Sequence, residues 1–517
     1  MGHVSWALGV LLKIAASLPA ACPTDDPGMD RRDLDSNYNE NTHVSLVNAT
    51  PYRWRKSYNS SYQLTGWDAG WPEYIEPGSA STVYVRTCFR CFPQDTMGEA
   101  TYRIEGTGSP MSLQVAYRSG KNHRAYVQFL EDLETPYSDK SAQHNLGFSQ
   151  GRGGVGFVLA GTEGDFISNG DRPVAWMQAQ LAEIGHLPLR EIAMPRSHHS
   201  GQWKSQKPIG VATPRNTQTQ SLPLYDQLKG GVRVLDLRPL LRKGDFYNHH
   251  GSRLGPNFHG MLGASVKDMV AMHNKFMADH PGELYIWDIH EGDARDGDNK
   301  YRPLDDRGRL RLYNELRQLS NRVRVPEDVD LSIRPLNQFI SRRRGARGRS
   351  SVLVRLPTSW AAKPHFPGSK EGFVSGANFP LKTRWSNTNK AEELVKDQLF
   401  GLAEARPSRS SGMYDVQWIL TQKGAQVAFP VQYNSIIELS GAAWRTLSQE
   451  FWEALTDESY PNWVTMDDIH GTSLKAMAMA INKCFAARRC GHLGGRVTGI
   501  TNTTLVSQEA LKDGTET

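Results

Sequence analysis

The sequence predicts an α/β protein built on a (β/α)8 TIM-type barrel, preceded by a small all-β sandwich domain. Three observations carry this. First, four apolar runs each stop at an ionisable residue: Met194-Pro195-Arg196-Ser197-His198, Val232-Arg233-Val234-Leu235-Asp236-Leu237-Arg238, Phe246-Tyr247-Asn248-His249-His250 and Leu284-Tyr285-Ile286-Trp287-Asp288. Parallel barrel strands look like this when they deliver side chains to a site at their C-terminal ends. Second, strand-like and helix-like segments alternate from residue 171 onward, as a parallel sheet with crossover helices requires. Third, the runs between Thr42 and about Ala160 are short, alternating and β-branched or aromatic, separated by turn residues. That is the signature of a sandwich.

A chain of 517 residues is too long for one ordinary core. At roughly 150 residues per domain it holds two or three units, of which a barrel takes about 250 residues. Mean hydropathy is −0.53, and no apolar stretch approaches the roughly 20 residues needed to span a bilayer. The net charge of +6 suits an anionic surface without demanding one. A monomer that does not bind nucleic acid is expected.

Residues 1–22 read as a secretory signal peptide, apolar from Trp6 and ending in Leu18-Pro19-Ala20-Ala21. Residues 23–41 are polar and charged, a flexible lead. Sequons at Asn48, Asn59 and Asn502 agree with a secreted glycoprotein. Cys88, Cys91, Cys484 and Cys490 form an even set that allows three pairings, and disulfides are expected over zinc. Residues 42–165 make the sandwich, with strands near Val44–Asn48, Ser81–Val85, Ala100–Ile104 and Ser112–Tyr117. The Gly-rich stretch from Gly151 to Gly170 reads as the connection to the barrel, residues 170–500, and residues 501–517 as a flexible tail. Tyr52, Trp54, Tyr58, Tyr62, Trp67, Trp71 and Tyr74 are too many for one face of alternating strands. Most are expected in the core, the remainder at a lipid or glycan surface.

In the barrel, helices are expected near Leu181–Ile184, Leu222–Leu228, Val266–His280, Glu392–Leu402, Trp444–Leu455 and Ser473–Ala486. The run Val266–His280 places Val266, Met269, Val270, His273 and Phe276 on one face. Strands are expected at Val232–Leu237, Leu284–Ile289, Val352–Leu356, Val416–Thr421 and Trp463–Asp468.

Two histidines, an arginine and a carboxylate are the parts needed to cleave a phosphodiester without a metal. One ring takes a proton from the attacking hydroxyl, the other gives one to the leaving oxygen, and the guanidinium stabilises phosphoryl charge. Asp236 and Arg238 are two apart, so both point the same way from one strand. Their plain alternative is a structural ion pair. His249 and His259 are alternatives or neighbours to His250. Arg342, Arg343, Arg344, Arg347 and Arg349 form a basic run, a solvated loop or a contact to anionic lipid.

The order His198, Asp236-Leu237-Arg238, Phe246-Tyr247-x-x-His250, Glu283-Leu284-x-Ile286 resembles the X domain of phosphatidylinositol-specific phospholipase C, in its secreted, metal-independent branch. Trp176-Met177, Leu187–Ile192 and Tyr225–Leu228 resemble that family's lead-in segments. The resemblance implies a barrel with His198, His250, Arg238 and Asp236 as catalytic residues. Arg238 stands where calcium-dependent members carry a carboxylate, so neither metal nor cofactor is expected. Arg355 matches a position that contacts the head group, Trp385 is a candidate to stack on inositol, and Asp467 or Asp468 is a candidate to orient His198. Two positions depart from the family: His199 replaces an Asp or Asn, and Arg196 a glycine. A third protonatable ring beside His198 is expected to perturb it by like-charge repulsion.

The function this implies is a secreted phosphodiesterase. It cleaves inositol lipids through a cyclic inositol phosphate while held peripherally at a membrane. The alternatives are an inactive lipid- or glycan-binding relative and a phosphodiesterase acting on another glycerophosphodiester.

Overall fold

The computed structural model describes residues 41–87, 96–118, 124–147, 153–254, 257–290, 294–327, 329–341, 348–428 and 431–497. The signal peptide, most of the lead, the tail, Cys22, Cys88, Cys91, Asn502 and Arg342, Arg343, Arg344 and Arg347 lie outside them.

Eight parallel strands form one curled sheet: Met194–Ser197, Val234–Leu237, Leu284–Ile289, Ser351–Leu356, Phe373–Ser375, Leu381–Arg384, Met413–Gln417 and Trp463–Met466. Numbered one to eight, their order across the sheet is 5-4-3-2-1-8-7-6. That is barrel order, with strand eight paired to strand one (Ser197 opposite Met466) and the seam between strands five and six unpaired. The connections explain the seam. Helices follow strand one (Leu224–Lys229), two (Val266–Asp279), three (Asp306–Leu316), six (Ala391–Ala405), seven (Ile436–Thr446) and eight (Ser473–Ile481). Between strands four and five the described chain makes only short 3₁₀ turns, at Thr358–Trp360 and Ser369–Glu371, and between strands five and six it forms no helix. The wall without an outer helix is the wall that stays open.

Local sequence accounts for most of these elements. Helix Val266–Asp279 starts at a Ser265 hydroxyl that accepts the Asp268 amide N–H, and its five predicted apolar-face residues are all buried. Helix Ile436–Thr446 begins earlier than expected from Trp444 because Ser435 and Glu438 form a reciprocal capping box. Strand seven ends at Gln417, so its expected course to Thr421 is corrected. Trp418, Ile419 and Leu420 are buried as loop residues, which a short apolar run cannot distinguish from strand.

The run Phe246–His250 is not a barrel strand. It lies in Asp245–Leu254, antiparallel to Asn257–Ser265, in a separate six-stranded sheet beside the barrel mouth. His250 therefore reaches the site on a hairpin inserted after strand two.

Residues 41–168 form two further sheets. One joins Trp54–Tyr62, Met97–Ile104, Met111–Arg118 and Arg124–Glu131 in antiparallel pairs. The other centres on Asn41–Ala49, antiparallel to Ala80–Thr87 and parallel to Gly154–Ala160. Trp54, Trp67, Trp71, Leu113 and Phe157 share one apolar core between the sheets.

Gly154–Ala160 is thus a strand, and the linker reading of Gly151–Gly170 is corrected. Its alternate residues serve two cores: Val155, Phe157 and Leu159 face the first, while Val158 and Ala160 join Val47 and Ala49 against the barrel. Its glycines allow close helix approach. A Cβ on Gly156 would lie 2.4 Å from Ser448 Oγ.

Of the seven clustered aromatics, the three tryptophans are buried, whereas Tyr58, Tyr62 and Tyr74 are exposed. Asn48 is fully buried; its amide donates to the Tyr52 and Ile75 carbonyls at 2.7 and 2.9 Å. It is a structural corner, its side chain committed to these bonds although its triplet reads as a sequon. Cys484 and Cys490 are joined in a disulfide. No described helix is long and apolar enough to cross a membrane.

Candidate active site

Strands one and eight lie side by side, and each ends in a functional residue followed by a backbone reversal. His198 precedes His199 at φ 40°, and Asp467 precedes Asp468 at φ 47°. Left-handed backbone is uncommon away from glycine, and His and Asp are among the residues that adopt it most readily. The paired reversals bring His198 Nδ1 to 2.7 Å from Asp467 Oδ1. Burial raises the Asp467 pKa, opposed by the facing His198 ring. Of the two candidates at this strand end, Asp467 makes the contact. Asp468 is buried away from the pocket, its amide donating to the Thr219 carbonyl at 2.7 Å.

On the other side of the ring, Arg238 Nη2 stands 3.3 Å from His198 Nε2 and 3.3 Å from Asp236 Oδ2. A guanidinium only donates, so His198 Nε2 must be the acceptor and Nδ1–H must donate to Asp467. This is the neutral tautomer, with its lone pair at Nε2. Ligand atoms of His198, His199 and Asp236 lie within 4.8 Å of one another, a donor set of the kind that holds a divalent ion. Here the Arg238 guanidinium lies between two of them, bringing a positive charge of its own.

His250 donates from Nδ1 to the Thr217 carbonyl at 2.9 Å, and its ring centroid is 6.3 Å from that of His198. The His199 ring is wedged against both, 4.4 Å from His198 and 4.2 Å from His250. Burial, then Arg238 and the neighbouring rings, push the His199 pKa well below that of an ordinary histidine. Its Nδ1 is 3.0 Å from the His249 carbonyl. His199 is therefore a neutral buried ring rather than a third charge. His249 packs beneath, with Nδ1 2.9 Å from the Arg238 carbonyl.

Below these residues the barrel interior holds a charged layer. Strand register sets Asp236 opposite Asp288 and Asp288 opposite Arg355. Arg196 reaches Asp288, Asp415 and Asp236 at 2.9, 3.2 and 3.4 Å. Burial opposes its charge, but the carboxylates of Asp236, Asp415 and Asp288 outweigh that and raise its pKa. For Asp236, burial is likewise outweighed by Arg238 and Arg196, so its carboxyl stays far below the usual range. Asp236 is fully buried and is not among the residues lining the histidine pocket. It accepts the His199 amide at 3.0 Å and so positions the residues above it.

Arg355 donates to Asp288 at 2.7 Å and to the Phe379 carbonyl at 3.0 Å. It is tied into this layer and is not among the residues lining the pocket, whereas a head-group contact was expected. Asp288, expected near the mouth, is buried here too. Asp415, in the otherwise apolar run 413–416, was missed; a carboxylate inside a buried strand was the available signal.

His198, His199, Arg238, His250 and Asp467 open onto a pocket of about 480 Å³, with Trp385 and His259 also on its wall. Trp385 stays largely exposed, its indole N–H 2.9 Å from Thr421 Oγ1. Thr217, which orients His250, had no signal in the sequence because it acts through its carbonyl.

Fold and site together define a parallel α/β barrel with a histidine pair, an arginine and a histidine-bound carboxylate at its C-terminal mouth. No family model matches the chain. Human (Homo sapiens) PI-PLC X domain-containing protein 2 is 29% identical over 143 residues, 23% of this chain and 44% of that protein. Bovine (Bos taurus) PI-PLC X domain-containing protein 3 is 26% identical over 136 residues, 22% of this chain and 41% of that one. The chain thus spans less than half the length of the curated relatives it matches. Among solved structures, a mutant of the phosphatidylinositol-specific phospholipase C from Staphylococcus aureus aligns with TM-score 0.42 and 16% identity, over 60% of this chain and 97% of that one. The enzyme from Listeria monocytogenes aligns with TM-score 0.34 and 15% identity, over 60% and 98%. By sequence, the chain is related to the PI-PLC X-domain proteins.

Proposed function

We propose that this protein is a metal-independent phosphodiesterase of the phospholipase C type, acting on inositol lipids. The observation that carries the reading is the state of His198: Nδ1–H held by Asp467 and the Nε2 lone pair facing Arg238. In the proposed reaction, His198 Nε2 takes the proton of the inositol 2-hydroxyl as that oxygen attacks phosphorus. The bond from phosphorus to the glycerol oxygen breaks, and His250, protonated at Nε2, gives its proton to that oxygen. The products are a cyclic inositol phosphate and the released glycerolipid. Arg238 turns from His198 to the phosphoryl oxygens as the hydroxyl takes its place. The Thr217 carbonyl accepts from Nδ1 of His250 and so makes Nε2 the nitrogen that transfers the proton. The two N-terminal sheets, read as a sandwich domain, are proposed to help hold a secreted, monomeric protein at a lipid or glycan surface through the exposed tyrosines.

Purified protein incubated with phosphatidylinositol vesicles and chelator, followed by phosphorus NMR, tests this. A cyclic inositol phosphate that vanishes in His198→Ala and His250→Ala supports it. A second reading is favoured by one feature, the neutral His199 ring wedged between the two histidines. It is a lipid-binding protein without turnover, for which vesicle binding would persist in both variants and no product would form.

A further inference from the structure

Strands one and eight stop pairing just where their functional side chains begin. The last bond between them runs from the His198 N–H to the Met466 carbonyl at 3.1 Å, and both chains then reverse, at His199 and Asp468. The pairing of strand eight with strand seven ends lower still, at Thr465 opposite Gln417. The turns that carry His198 and Asp467 therefore need another tie to keep a 2.7 Å bond between them.

Residues 217–220, between the 3₁₀ turn Pro214–Asn216 and the helix Leu224–Lys229, supply it. The Gln220 carboxamide donates from Nε2 to the His198 carbonyl at 2.9 Å and to the Met466 carbonyl at 3.2 Å. Its Oε1 accepts the Ile469 N–H at 3.0 Å. A carboxamide has two N–H donors at one end and an acceptor oxygen at the other. Two carbonyls on one side and an N–H on the other thus fix its orientation and use both donors. One rigid plane bridges strand one, strand eight and the turn that follows. Thr219 adds to the tie: its hydroxyl donates to the His198 carbonyl at 3.1 Å, and its own carbonyl accepts the Asp468 N–H at 2.7 Å. The Thr217 carbonyl accepts from His250 Nδ1. A single short stretch of loop is therefore bonded to the backbone on both sides of the His198–Asp467 pair and to the second ring.

Resting on the phosphodiesterase reading, we propose that Gln220 is a positioning residue, its carboxamide holding the ends of strands one and eight so that Asp467 fixes the proton on His198 Nδ1. Gln220 is fully buried and is not among the residues lining the histidine pocket. It acts through the backbone it ties, and what it controls is kcat rather than substrate binding.

Proton NMR of the full chain tests this without requiring turnover. The Nδ1–H of His198, bonded to a carboxylate, gives a downfield resonance that is assigned by its loss in His198→Ala. Gln220→Met keeps the length of the side chain and removes all three bonds; Gln220→Glu removes both donors. In each, the resonance is expected to move upfield or broaden away. The kcat for phosphatidylinositol is expected to fall by on the order of 10²-fold, with KM changed less than about twofold. Asn462→Ala is the control for lost stability alone. The Asn462 carboxamide, also fully buried, bonds to the Arg190 carbonyl and the Tyr414 N–H at the opposite end of strand eight. Its removal is expected to leave the His198 resonance in place. An unchanged resonance in folded Gln220→Met and Gln220→Glu, or an equal loss in Asn462→Ala, would overturn the proposal. If neither Gln220 variant folds, Thr219→Val decides, since it keeps the volume and removes one donor to the His198 carbonyl. A shift of the same resonance is expected there, and no shift would overturn the proposal. No turnover in the unaltered protein, with the resonance responding as expected, would remove the phosphodiesterase reading and leave Gln220 as the tie that sets His198. Turnover that persists undiminished in the Gln220 variants would do the reverse.

Discussion

Asp467 and Arg238 hold His198 from opposite sides, Asp467 Oδ1 at 2.7 Å from Nδ1 and Arg238 Nη2 at 3.3 Å from Nε2. Because one partner accepts and the other only donates, together they dictate which ring nitrogen carries the proton. Replacing Asp467 by Asn removes the acceptor that demands Nδ1–H. The expected result is a mixed tautomer, visible in nitrogen-15 NMR of the ring. Phosphodiester turnover should fall by on the order of 10²-fold, with a larger loss of about 10²–10⁴-fold in His198→Ala. Unchanged turnover in Asp467→Asn would remove the carboxylate from the mechanism.

Arg196 sits among Asp236, Asp288 and Asp415 and is almost wholly buried. Removing one member of a buried charge network leaves the others uncompensated, at a cost of about 3–5 kcal/mol. Arg196→Met should therefore lower the urea midpoint markedly. Arg196→Gly, which restores the residue the family pattern expects, should do the same rather than improve activity. A midpoint shift under about 0.5 kcal/mol equivalent would show that the layer is not tightly coupled.

His273 accepts the Trp287 indole N–H at Nδ1, 2.9 Å away, so protonation there breaks the bond. Burial, then Arg233, pushes its pKa down to about 3, and burial pushes His144 down to about 4. Both are depressed below the unfolded value near 6.5, so the unfolded chain binds more protons in between. Stability is accordingly full above about pH 6.5 and is lost as pH falls toward 4 for His144 and 3 for His273. The slope is about 1.4 kcal/mol per pH unit for each ring. Urea unfolding from pH 7 to 4 should show this decline, and His273→Gln should flatten it by about one ring's share.

Asn48 is fully buried and also accepts from Thr50 Oγ1 at 2.6 Å, so the Asn48-Ala49-Thr50 triplet bonds to itself and its neighbours. Expression in a glycosylating host should leave Asn48 unmodified, as intact-protein and peptide mass spectrometry will report. Asn48→Ala, which strands the Tyr52 and Ile75 carbonyls, should cost about 1–3 kcal/mol. A glycan found on Asn48 of folded protein would contradict this corner.

Barrel order, the amphipathic helix Val266–Asp279 and the pairing of His198 with a strand-eight carboxylate could all be read along the chain. Each depends on a local period or on the adjacency of strands one and eight. Gly154–Ala160 was misread because glycine marks both flexible links and close helix approach, and only the facing Ser448 distinguishes them. Phe246–His250 was misread because a hairpin strand buried against a barrel has the same apolar run as a barrel strand.

By itself, the sequence determined the α/β class, the candidate histidine pair and the common direction of Asp236 and Arg238, since residue type and spacing along one strand suffice for these. The tertiary structure alone decided that Asp467 and not Asp468 meets His198. It also decided that His199 is a neutral wedge and that Arg355 and Asp288 belong to one charge layer inside the barrel. These depend on backbone reversals, on register between strands distant in sequence, and on loops brought together at the barrel mouth. None of those distances is encoded in the local period of the chain.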